Sequence, residues 1–180
     1  LLDRIMDDEM KNLMKEFSKL SEEFSKDKFN DLDEKMKLTF DQMSEELDRN
    51  IELLKRFQIE ERHDLISKRL EKLKSDQLKY DDQLKNRSVR NDSLAEVGSK
   101  IKQELDNIKK DYSDLLKENS NLSEPYHLDK MEQKFDQLSE KLGQQSTENK
   151  RNRKLSEEIK KEMDELIDEM KKQQEQNFLN

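Results

Sequence analysis

Large apolar residues recur along this chain at alternating steps of four and three. That spacing keeps one face of an α-helix turned toward a partner. The first run is Met6, Met10, Leu13, Phe17, Leu20 and Phe24. The rhythm slips across residues 25–28 and continues at Met36, Phe40, Met43, Leu47, Ile51 and Leu54. The steps from Met43 to Leu54 form an eleven-residue repeat, which locally straightens or reverses a left-handed supercoil. Ile66, Leu70, Leu73, Gln77, Tyr80 and Leu84 follow, then Ile101, Leu105, Ile108, Tyr112 and Leu115. Leu128, Met131, Phe135, Leu138 and Leu142 carry the pattern on, and Ile159, Met163, Leu166 and Met170 end it. These residues are the predicted helix-contacting seam. The fold class they predict is all-α: an elongated coiled coil of long helices, either folded back as an antiparallel helical hairpin or assembled with partner helices. A parallel homodimer satisfies the stripe equally well.

Interruptions are few. Asn119, Ser120, Asn121 and Ser123, with Pro125 close behind, predict a turn at residues 119–124. Ser123 is the expected N-cap and Pro125 the first-turn residue of a helix from about 124. The chain thus divides into a first arm at 1–118, a second at 124–176 and a tail at 177–180. A softer break is expected at 86–99, where Ser88, Asn91, Asp92, Ser93 and Gly98 coincide with a weakened stripe. Asp92 or Ser93 is the expected cap of the helix that runs on through Ile101. At 143–153 the seam positions hold Gln145, Asn149 and Asn152, which reads as a loop or as a helix continuing through polar layers. Around Leu53, Leu54, Phe57 and Ile59 the chain is apolar on more than one side, an arrangement that invites a third helix or a partner.

Composition narrows this picture. Charged residues make up 44% and hydrophobic ones 30%, with two Gly, one Pro and the single alanine Ala95. Such material builds a narrow seam rather than a layered core. With no Cys, disulfides and thiolate chemistry are excluded. No apolar run is long enough to span a membrane and no signal-peptide pattern appears. A start at Leu1 rather than Met is expected of a fragment or a processed product. Scarce Ala, Gly and Pro beside abundant Lys and Asn suggest an AT-rich genome. The net charge is −8, with 15 acids and 9 bases in residues 1–50 against 10 and 12 in residues 51–100. There is no single-sign basic stripe, so nucleic acid is not an expected partner.

Candidate chemistry is sparse. Glu60, Glu61, His63 and Asp64 are dense in sequence, but residues this close point around a helix, so a solvated charged face is expected there. His127 is an expected surface residue. Acidic pairs such as Glu45 with Glu46 and Glu157 with Glu158 are expected to be exposed. Two isolated glycines cannot form a phosphate loop. No catalytic residue, metal site or cofactor is predicted, and enzymatic activity is not expected. Lys150, Arg151, Arg153 and Lys154 form the one compact basic run, a candidate contact for an acidic protein surface such as tubulin tails. Met6, Met10, Met14, Met36 and Met43, with Phe17, Phe24 and Phe40, suit irregular packing against a non-identical helix.

The expected role is that of a non-enzymatic structural protein: a strut, linker or assembly factor in a larger complex, intracellular and cytoskeletal or ciliary. Its expected partners are helical proteins, self or heterologous. The alternatives are a membrane-associated helical bundle and a surface rod of a bacterium or parasite.

Overall fold

In a computed structural model the described residues are 15, 26–86, 89–147 and 152–178, with side chains at Lys15 and from residue 36 onward. Met6, Met10, Leu13, Met14, Phe17, Leu20, Phe24, Lys150 and Arg151 lie outside them. Among the described residues all regular structure is helical: α1 (Lys26–Lys85), α2 (Asn91–Ser120), α3 (Glu132–Thr147) and α4 (Arg153–Asn177). No helix there is long and apolar enough to cross a membrane. The chain falls into two compact units, Leu1–Leu54 and Lys55–Asn180.

The second unit is a four-helix bundle whose directions follow from its cross-helix pairs. Arg62 pairs with Glu118 and Arg69 with Glu104 at 2.9 Å, so α1 and α2 are antiparallel. Lys109 meets Asp136, and Ser139 donates to Asp106 at 2.6 Å, which sets α3 antiparallel to α2. Lys134 with Glu169 and Lys141 with Glu162 reverse the direction again for α4. Lys74 with Asp164 then closes α4 against α1, giving up-down-up-down topology.

Each helix lays one four-three stripe into this core. Ile59, Ile66, Leu70, Leu73, Tyr80 and Leu84 come from α1, and Ile101, Leu105, Ile108, Tyr112 and Leu115 from α2. Phe135, Leu138 and Leu142 come from α3, and Ile159, Met163, Leu166 and Met170 from α4. Met131, just ahead of α3, is buried with them. Each such side chain contributes about 1.5–3 kcal/mol when fully removed from water, so the seam dominates the stability of this unit.

The helix ends differ from expectation in two places. α2 begins at Asn91 with Arg90 in the cap position and no side-chain cap, while Asp92 lies in the first turn, where its charge suits the helix dipole. The expected break at 86–99 is therefore confined to its first residues, and Gly98 is buried inside α2. The turn after Ser120 is present, but no helix begins at 124. Asn119 is buried; its Nδ2 donates to the Tyr126 carbonyl at 2.8 Å and its Oδ1 accepts from the Tyr126 N–H at 2.9 Å. With its carbonyl and N–H held by Asn119, Tyr126 and its neighbours through residue 130 stay out of regular helix. The Leu128 N–H turns back to the Tyr126 carbonyl at 3.0 Å, and α3 begins at Glu132.

Candidate functional site

Among the described residues of the unit Leu1–Leu54, the apolar stripe from Met36 to Leu54 is left open. Phe40 is 45% exposed, Leu47 53% and Leu54 64%, with Met36 and Met43 half-buried. The step from Leu47 to Leu54 passes through Asn50 when the four-three rhythm is kept, and Asn50 is exposed with its neighbours. Ile51 and Leu53 are also exposed and flank that line on either side. Glu45 and Arg49 form an i,i+4 ion pair on the face turned away from it. Scattered exposed leucines need no explanation, whereas these stand in a file at seam spacing on one helix.

The bundle, by contrast, closes over its polar seam residues. Gln77 and Gln145 exchange amide hydrogen bonds of 2.9 and 3.0 Å, and Gln77 also donates to Ser156 at 3.2 Å. Ser156 donates to Asp81 at 3.1 Å, and Lys85 and Lys160 reach the same carboxylate at 2.7 and 3.3 Å. Burial alone raises the Asp81 carboxyl, but these partners outweigh it and hold the group below its ordinary value.

The second polar layer includes His63, which is 0% exposed. The expected solvated face at residues 60–64 is thus wrong for His63. It stands four residues after Ile59 and three before Ile66, on the seam itself, and that spacing outweighs the charge of its neighbours. His63 Nε2 lies 3.4 Å from Gln173 Oε1, and the same oxygen accepts from the Tyr112 hydroxyl at 3.1 Å. The single Tyr112 hydroxyl proton is shared with the Asp129 carbonyl, which lies nearer at 2.6 Å. Phe178 covers the imidazole edge-on at 5.1 Å and meets Tyr126 at 4.7 Å. Burial lowers the His63 pKa, and burial pushes the Tyr112 hydroxyl up to about 12. His63 Nδ1 and Gln173 Nε2 are buried without a partner.

Elsewhere the surface offers little chemistry. A groove of about 400 Å³ between α1 and α2 is lined by Arg69, Lys72, Asp76, Lys79, Lys100 and Glu104. Its charges are mostly consumed in pairs, Arg69 with Glu104 and Lys79 with Asp76. Among the described residues no group of His, Cys, Asp and Glu could hold a metal. Arg153 and Lys154 are exposed in the first turn of α4, and His127 is exposed, with its backbone held by Asn177. No family model, no curated protein and no solved structure matches this chain.

Proposed function

We propose that this chain is a non-enzymatic structural protein that works by helix-to-helix contact, as a strut, linker or assembly factor of a larger complex. In this reading α1 is the strand of a coiled coil, and its stripe from Met36 to Leu54 is the attachment face. The observation that carries the proposal is the exposure of Phe40, Leu47 and Leu54 at the same spacing that the bundle buries elsewhere. Leaving such a file in water is unfavourable, and covering it with a second helix returns that free energy as association. The cytoskeleton, cilia and flagella included, is the proposed setting; the 60-residue α1, free of Gly and Pro, suits a load-bearing assembly.

The test compares the tagged chain with its Leu47→Glu/Leu54→Glu variant in the native cell after detergent extraction. The proposal expects the parent chain in the insoluble filament fraction and the variant released, with the helicity of both unchanged. Partition of the parent into the detergent phase with lipid-linked proteins puts the membrane-associated bundle in its place.

A further inference from the structure

The stripe on α1 carries its own evidence for what covers it. Counted in sevens, Phe40, Leu47 and Leu54 hold one core position, and Met36, Met43 and Asn50 hold the other. Asn50 is the one polar residue in this file, and its amide is both a donor and an acceptor. Placed opposite a leucine it would be buried with its hydrogen bonds unmade, a strong penalty. Placed opposite a second Asn50 the amide donates to and accepts from its counterpart, so both are satisfied.

An antiparallel pairing that overlaps the two stripes end to end brings Asn50 against Phe40, whereas a parallel in-register pairing brings it against its own counterpart. The flanking positions agree. In the parallel arrangement Thr39 of one copy lies beside Ser44 of the other, and Glu46 beside Ile51, so no like charges meet. The charged residues Asp41, Glu45, Asp48 and Arg49 all fall on the far side.

We infer that the occupant of this stripe is a second copy of this chain, parallel and in register, with the two Asn50 amides paired at its centre. This rests on reading the stripe as a contact face, and it names the partner.

The absence of any Cys makes the test direct. Asn50→Cys in the full chain, oxidised gently, should give a disulfide-linked dimer roughly tenfold more abundant than Glu45→Cys, because facing core positions approach within disulfide range and outer ones do not. Sedimentation equilibrium of the parent chain should give twice 21.8 kDa. A mass of 21.8 kDa throughout the micromolar range overturns the inference, as does a higher multiple. Preferential cross-linking of Asn50→Cys to Phe40→Cys in a mixture overturns the parallel register. If the chain is monomeric yet Leu47→Glu/Leu54→Glu still releases it from the cell's insoluble fraction, self-pairing fails and the contact-face reading stands. If it is monomeric and that variant changes nothing, both fail.

Discussion

Leu54 and Leu105 occupy the same kind of position, one step in a four-three file of apolar residues, yet Leu54 is 64% exposed and Leu105 is 0% exposed. The difference lies in what surrounds each file. In the unit Lys55–Asn180 four helices supply one another's partners, and the polar seam residues find theirs too: Gln77 meets Gln145, and Asn119 meets the backbone of Tyr126. In the unit Leu1–Leu54 the file from Met36 to Leu54 meets solvent, and its one polar member, Asn50, is exposed with it. Seam spacing therefore states that a helix wants a partner. It does not state whether the partner belongs to the same chain.

The contrast is sharpest in truncation. Leu105→Ala removes a side chain from the centre of the bundle and leaves a cavity, and such losses cost about 3–5 kcal/mol. Leu54→Ala removes a side chain already in water, and its effect on unfolding of the bundle should stay within about 0.5 kcal/mol. Urea denaturation at low protein concentration, followed by circular dichroism, measures both. If the two variants lose equal stability, the file on α1 is covered within the chain, and the distinction between the units fails.

A smaller effect separates the units by pH. His63 is buried against Phe178 and Gln173, with Asp64 the nearby charge, and burial depresses its pKa below 6.5. The folded bundle thus prefers neutral imidazole, while the unfolded chain takes up a proton near 6.5. Stability from this group is complete above 6.5 and declines as pH falls toward the lower folded value. His63→Leu removes the titration and the unpartnered Nδ1 together, and leaves Gln173 Oε1 still accepting from Tyr112. The variant should be more stable by about 1 kcal/mol at pH 6 and show a flatter profile between pH 7 and 5. An unchanged slope would mean that the acid sensitivity in this range arises from a group other than His63, and Asp81 is not that group. That carboxyl has its pKa held below 3.8, so its contribution is complete above that value and is lost only as pH falls further, through the folded pKa.

How much of this was legible in the sequence depends on the kind of residue. In the bundle most apolar residues on the four-three count are buried, because burying a large side chain on a helix face needs little more than that periodicity. Leu94, Leu122, Leu155 and Ile167, however, are buried outside its predicted runs, and Leu128 within one is only half-buried. Polar seam positions were harder. Gln145 left loop and polar layer equally open, and the layer appears only once Gln77, 68 residues away, is brought opposite it. His63 was hidden by the charge of Glu60, Glu61 and Asp64, although counting from Ile59 to Ile66 would have placed it on the seam. The turn after Ser120 was legible from its Asn and Ser residues, but the late start of α3 was not. Pro125 favours a helix start on local grounds, and the buried Asn119 overrides it from outside the segment. The number and direction of helices in the bundle were not legible either, since a stripe carries no label for its partner.

The mildest test concerns the close approach of helices that only the bundle has. Gly98 lies inside α2, where Gly costs about 1 kcal/mol of helix propensity relative to Ala. A Cβ built there would stand 3.5 Å from Ser146 and 3.6 Å from the Tyr80 ring, ordinary van der Waals distances. Gly98→Ala should accordingly stabilise the bundle by about 0.5–1 kcal/mol, read as a rise in urea midpoint with unchanged slope. A loss of stability instead would show that Tyr80 and Ser146 cannot yield, and that α1, α2 and α3 are locked together at this level by the missing side chain. Either sign bears on the comparison between the units: the bundle's seam is filled by neighbours of its own chain even where a methyl group is missing, whereas on the open stripe of α1 the corresponding space around Leu47 holds solvent.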